Sequence, residues 1–227
     1  MRRASTQRRG LFMPRGLAEP YAILDAGLAR PAALLAAAVR ARRGGVRVFQ
    51  LRAKLLSDAA FTRLARAVLR VLPGRLLLVN DRCDIALVAG AGGVHLGQDD
   101  LPVAVARRIL GRGAVVGLSA GNAAEALRAV AQRPDYISIG PVFRTRTKGN
   151  AGHPLGPRGY TRLSKLVPPG IPRVAVGGLT PHNVSSLSSA TVDAVAAASW
   201  WLGNRGWSGD VKAGCRARRK HGGQGWR

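Results

Sequence analysis

Two aspartates and three cations carry the chemistry most readily read from this sequence: Asp81 and Asp100, with Arg52, Lys54 and Lys148. Each aspartate follows a short apolar run, so both carboxylates belong where a strand ends. Carboxylates from neighbouring strand ends suit a hard divalent cation. Mg²⁺ is the expected one, because it takes one or two carboxylates and fills its other positions with water and phosphate oxygens. As plain helix caps the same residues would need no metal. Three cations around that point exceed what a phosphate monoester requires and match a pyrophosphate.

A second anion signal lies in GPVFRTRTKG, residues 140–149, where Thr145 and Thr147 offer short hydroxyl donors beside Lys148. The Gly177–Gly178 pair lets backbone N–H groups approach a ligand, and Ser199 closes the last apolar run. Gly178 and Ser199 are therefore candidates for a second phosphate. Two anion sites and one metal at one mouth point to group transfer between two phosphorylated small molecules. His95 lies inside an apolar run and reads as a packing residue, and His182 reads as solvated. No Ser/His/Asp arrangement and no lysine in an apolar setting for a Schiff base stands out.

The elements that must position these groups alternate along the chain. Apolar runs at 21–25, 46–52, 76–80, 93–97, 114–119, 136–140, 173–178 and 192–199 read as strands. Between them, 31–43, 58–71, 84–91, 103–110, 122–132, 158–166 and 181–189 read as helices. Pro31 and Pro181 suit a first turn, and Asn122 with Glu125 forms a capping box. Continuous apolar strands alternating with helices predict parallel strands covered by helices, hence an α/β (βα)8 TIM barrel. A doubly wound open sheet is the alternative, weakened because no glycine-rich dinucleotide fingerprint follows the first strand. In a barrel the reacting groups come from the strands' C-terminal ends, and those ends here carry Gln50, Arg52, Asn80, Asp81, Asp100 and Ser119. After Ser199 an eighth helix is due. The glycine-rich stretch from Trp200 to Gly209 instead predicts that the last helix is degenerate or missing.

Of the net charge of +25, the ends hold +11, since residues 1–15 carry five arginines and no acid and residues 203–227 carry seven basic residues against one Asp; the remaining +14 is spread over amphipathic segments. Residues 1–19 and 203–227 are expected to be disordered extensions around a barrel domain at 20–202. With four Trp, three Tyr and four Phe in the chain, the stacking platforms of a specific nucleic-acid binder are not expected; salt-sensitive adhesion through the basic ends is. Cys83 and Cys215 lie far apart without metal-like spacing, which favours a reducing, cytoplasmic compartment. The Arg-rich start also has the composition of an organelle transit peptide. No run approaches the ~18 apolar residues of a spanning helix, so no membrane partner is expected. A homodimer is compatible with this composition.

The blocks QLRAK (50–54), VNDRCDIALVAGAGGVHLGQDDLP (79–102), VVGLSAGN (115–122), DYISIGPVFRTRTKGN (135–150) and VAVGGLTPHN (174–183) resemble, in order and spacing, the thiamine-phosphate synthase family over about residues 20–199. The resemblance implies a (βα)8 barrel that joins hydroxymethylpyrimidine pyrophosphate to a thiazole phosphate, releasing pyrophosphate with Mg²⁺ by a dissociative route. It implies Asp81 and Asp100 as metal ligands, and Arg52, Lys54, Asn80 and Lys148 as the pyrophosphate grip. Ser119 would touch the leaving group, Gln50 would face the pyrimidine, and Thr145, Thr147, Gly178 and Ser199 would hold the thiazole phosphate. Ala53, Ala120, Gly121 and Ala194 depart from the family pattern. The related thiazole tautomerase relies on a histidine where this chain has Gly121, and a barrel that only binds a phosphorylated ligand is the remaining alternative.

Overall fold

The computed structural model describes residues 19–145, 147, 152–187 and 191–202. Eight strands run β1 (Glu19–Asp25), β2 (Val48–Arg52), β3 (Leu76–Asn80), β4 (Gly93–Leu96), β5 (Val115–Ala120), β6 (Tyr136–Ile139), β7 (Arg173–Val176) and β8 (Ala194–Ala197). Each pairs in parallel with the next, and β8 returns to β1 with Ala194 opposite Glu19, closing the barrel. Closure leaves no exposed sheet edge.

The helices between them are α1 (Pro31–Arg43), α2 (Asp58–Val71), α3 (Cys83–Ala89), α4 (Val103–Leu110), α5 (Ala123–Ala131), α6 (Gly156–Ser164) and a last single turn, α7 (Ser199–Leu202). Local chemistry fixes several ends. Pro31 occupies the first turn of α1, and Ser57 caps α2 by accepting from Ala60 N–H. Asn122 Oδ1 accepts from Glu125 N–H at 3.0 Å, while Glu125 reaches back to Gly121 N–H at 2.6 Å and so ties the end of β5 to α5.

Side chains alternate across each strand, and the alternation builds two cores. One face packs Ala22, Leu24, Phe49, Leu51, Leu77, Val79 and their equivalents against the helices. The other turns inward, where Tyr21, Val48, Leu76, Leu78, Val115, Tyr136, Val174, Ala194 and Ala196 fill the barrel. The Tyr136 ring fits because Gly117 faces it: a Cβ at Gly117 would lie 2.1 Å from the ring carbon Cζ. Ala194, a departure from the family pattern, is a buried member of this inner layer.

One expectation is corrected. A helix at 181–189 does not form; residues 184–186 make one 3₁₀ turn. Asn183 caps its start, accepting from Thr180 N–H at 2.8 Å and donating to Gly178 O at 2.8 Å, but Ser186 Oγ donates to Asn183 O at 2.6 Å and Leu187 turns extended, so the helical ladder stops there. Of the two readings of the last helix, degenerate or missing, the described residues show a turn, α7, which places Trp201 at 4 % exposure with its carbonyl accepting from Arg40 at 3.2 Å. The extensions at 1–18 and 203–227, with Cys215, lie outside the described residues. Among the described residues no helix is long and apolar enough to cross a membrane.

Candidate active site

The inward alternation dictates the site. On β2, Val48, Gln50 and Arg52 share one face; on β3, Leu76, Leu78 and Asn80 do; on β5, Val115, Gly117 and Ser119 do. The first member of each set lies in or beside the inner core, and the last reaches the mouth. There a cavity of about 1180 Å³ opens. It is lined by Gln50, Arg52, Lys54, Asn80, Asp81, Asp100, Ser119, Thr145, Thr147, Gly178 and Ser199. The structure thus brings eleven of the expected site residues together; the twelfth, Lys148, lies outside the described residues.

Asp81 stands just past β3 with φ +64, one of two described non-glycine residues at positive φ. A non-glycine residue is held there only when its surroundings impose it, and here Asp81 N–H donates to His95 O at 2.9 Å while Arg82 N–H donates to Asn80 O at 2.8 Å. The turn throws the Asp81 carboxylate toward Asp100 and Lys54, whose Nζ lies 3.2 Å from Asp81 Oδ2. Burial first, and then the hydrogen-bonding and charge of Asp100, push the Asp81 carboxyl above its ordinary range; Lys54 opposes the shift. Asp100 is itself anchored, accepting from Gly97 N–H at 2.6 Å.

This donor set fits one hard cation. Two carboxylates that repel each other are relieved by a divalent charge, and among the described residues no cluster of three or more His, Cys, Asp or Glu side chains offers a full protein cage. Such a pair leaves the remaining positions to water and phosphate, as Mg²⁺ prefers. Nearby, Gln50 Nε2 donates to Asn80 Oδ1 at 2.9 Å, fixing both amides at the cavity wall.

The opposite wall is built by β6, β7 and the loop that follows β6. Val142 N–H donates to Val176 O at 2.9 Å and Phe143 N–H to Gly177 O at 3.0 Å, so the loop carrying Thr145 and Thr147 runs beside the glycine pair. Gly178 has φ +62, and a Cβ there would lie 2.5 Å from Arg144 O. Only glycine fits that approach.

Three further features of the cavity depend on the fold. His95 is the packing residue expected, and it also joins a buried hydrogen-bond chain: Nδ1 lies 2.7 Å from Tyr136 Oη, Nε2 lies 2.9 Å from Ser119 Oγ, and Tyr136 Oη lies 2.9 Å from Tyr21 Oη. Gln98 donates to Ser119 O, bracing the same strand end. Asp25, 1 % exposed, forms an ion pair with Arg52 at 2.7 Å. An acid closing the first apolar run was its signal in the sequence. His182 is exposed in a turn, as expected.

The sequence model of the family described as thiamine monophosphate synthase matches residues 20–200, the whole barrel. This chain belongs to that family. Thiamine-phosphate synthase of Clostridium novyi is 39% identical over 186 residues, covering 81% of this chain and 90% of the relative. Thiamine-phosphate synthase of Chloroflexus aurantiacus is 42% identical over 182 residues, covering 79% and 82%. Among solved structures, thiamine phosphate pyrophosphorylase from Pyrococcus furiosus superposes with a TM-score of 0.71 at 28% identity, covering 91% of this chain and 96% of that one.

Proposed function

We infer that this chain is a transferase that makes thiamine phosphate, joining hydroxymethylpyrimidine pyrophosphate to a thiazole phosphate and releasing pyrophosphate. The observation that carries this reading is the convergence of two anion-binding walls on one cavity. Arg52, Lys54, Asp81 and Asp100 stand on one side, with Thr145, Thr147, Gly178 and Ser199 on the other. A single phosphorylated ligand would need only one wall.

In the reaction the bond between the pyrimidine methylene carbon and a pyrophosphate oxygen breaks, and its electron pair leaves with the oxygen. The thiazole nitrogen lone pair then forms the new C–N bond. No proton must be removed, so the protein needs no strong base; it needs charge in place where the pyrophosphate departs. Arg52, Lys54 and Lys148 receive that charge, Asn80 and Ser119 donate hydrogen bonds to it, and Gln50 faces the pyrimidine. Thr145, Thr147, the Gly178 backbone and Ser199 fix the thiazole phosphate so that its nitrogen meets the carbon, a positioning effect. Asp81 and Asp100 would hold Mg²⁺, which when bound supplies positive charge to the pyrophosphate oxygens.

The tautomerase alternative lacks its acid–base group: position 121 is a glycine whose N–H bonds Glu125 at 2.6 Å. The test mixes the protein with both phosphorylated precursors and Mg²⁺ and measures thiamine phosphate, with Asp81→Ala and Lys148→Ala as controls. Product from the parent and its loss in both variants are expected. No product from the parent would favour the barrel that only binds.

A further inference from the structure

Asp25 is the most deeply buried carboxylate at the cavity, and both of its oxygens are committed. Oδ1 accepts from Gly27 N–H at 2.8 Å, and Oδ2 accepts from Arg52 Nη1 at 2.7 Å. The two residues face each other in the β1–β2 register, and Ala26 N–H donates to Arg52 O at 2.8 Å, so backbone and side chain are tied at the same point. Among the described residues the Arg52 guanidinium bonds only Asp25, through one of its two terminal nitrogens. Its side chain retains 19 % exposure at the cavity.

A guanidinium has five N–H donors in a rigid fork, so pinning one nitrogen sets the direction of the rest. We propose that Asp25 is a positioning residue: it holds Arg52 so that its remaining donors face the departing pyrophosphate. This rests on the reaction assigned above and deepens it. Asp25 also offsets part of the Arg52 charge, so orientation and attraction oppose each other. Removing the carboxylate leaves the mouth more positive and the guanidinium free to rotate. The expected signature is a split, with turnover falling while affinity for a pyrophosphate does not.

The experiment is a cycle of Asp25→Asn, Arg52→Gln and the double variant. Each is read by kcat and KM with both precursors, by calorimetric affinity for inorganic pyrophosphate with Mg²⁺, and by Tm. Asp25→Asn is expected to lower kcat about 10- to 100-fold, the scale of a misplaced catalytic contact, without weakening pyrophosphate binding. In the Arg52→Gln background the same change should alter kcat less than about 2-fold, since contacting residues do not act additively. Arg52→Gln alone strands a buried carboxylate and lowers Tm, and adding Asp25→Asn should restore it. A kcat within about 2-fold of the parent for Asp25→Asn, or equal losses in both backgrounds, would overturn the proposal. The Tm cycle is read without substrate. A parent that made no thiamine phosphate would therefore sink the assigned reaction while the Asp25–Arg52 coupling was still measured, and additive Tm changes would sink the coupling.

Discussion

Asp81 and Asp100 leave neighbouring strand ends and meet as like charges, and Lys54, 3.2 Å from Asp81, opposes their repulsion. The arrangement costs the protein stability on its own, and the proposed divalent cation would relieve that cost.

The pH dependence of stability follows from that repulsion. The Asp81 carboxyl is raised above its ordinary 3.8 when folded, so its contribution is fully present below that value and is lost as pH rises through the raised one. With metal chelated, Asp81→Asn should therefore be more stable than the parent at pH 7 and lose the advantage below about pH 4. The gain should be about 1 kcal/mol, the repulsion of two charges a few ångströms apart in water-like surroundings, or roughly 2–4 °C in Tm. Asp58 and Asp84, both lowered by Arg82, add the opposite slope to both proteins, so the difference between melting curves reports the Asp81–Asp100 pair.

Metal should then act differently on the two proteins. Mg²⁺ at about 100 times its dissociation constant is expected to stabilise the parent by about 2.7 kcal/mol and leave Asp81→Asn nearly unmoved. Thermal melts across a Mg²⁺ titration check this, and equal shifts in both would show that these carboxylates do not hold the ion.

Much of the fold was legible because a parallel strand buried on both faces must be a continuous apolar run, and residues 76–80 and 136–139 are such runs. The site was legible because strand ends in a barrel face one mouth, so Asn80, Asp81 and Ser119 could be grouped without coordinates. What escaped needed register or long-range contact. Asp25 meets Arg52 only through β1–β2 pairing, and Tyr21 meets Tyr136 across 115 residues. The 181–189 helix stops early where Ser186 Oγ takes the Asn183 carbonyl and Leu187 turns extended, a local side-chain bond that periodicity does not register.

Lys54 should set the acidic limit of activity. It is the cation that holds the Asp81 carboxyl down against burial and Asp100. Lys54→Gln removes that charge, so protonation of Asp81 begins at higher pH. The acidic limb of the kcat/KM profile is expected to move upward, in addition to an overall loss of about 10-fold or more from the missing pyrophosphate contact. An unmoved limb would mean that another group governs it.

Gly178 provides a test of the second anion wall. Its φ of +62 and the 2.5 Å approach to Arg144 O leave no room for a methyl group, so Gly178→Ala must displace the loop that carries Thr145 and Thr147. The direct stability cost should be about 1–3 kcal/mol. Because that loop is the one proposed to hold the thiazole phosphate, the kinetic effect should divide between substrates: KM for the thiazole phosphate rises, while KM for the pyrimidine pyrophosphate and the Mg²⁺-induced Tm shift stay near the parent's. Steady-state kinetics with each precursor varied in turn, beside a Mg²⁺ melt, separate the two walls. A rise in both KM values would show that the walls move as one unit.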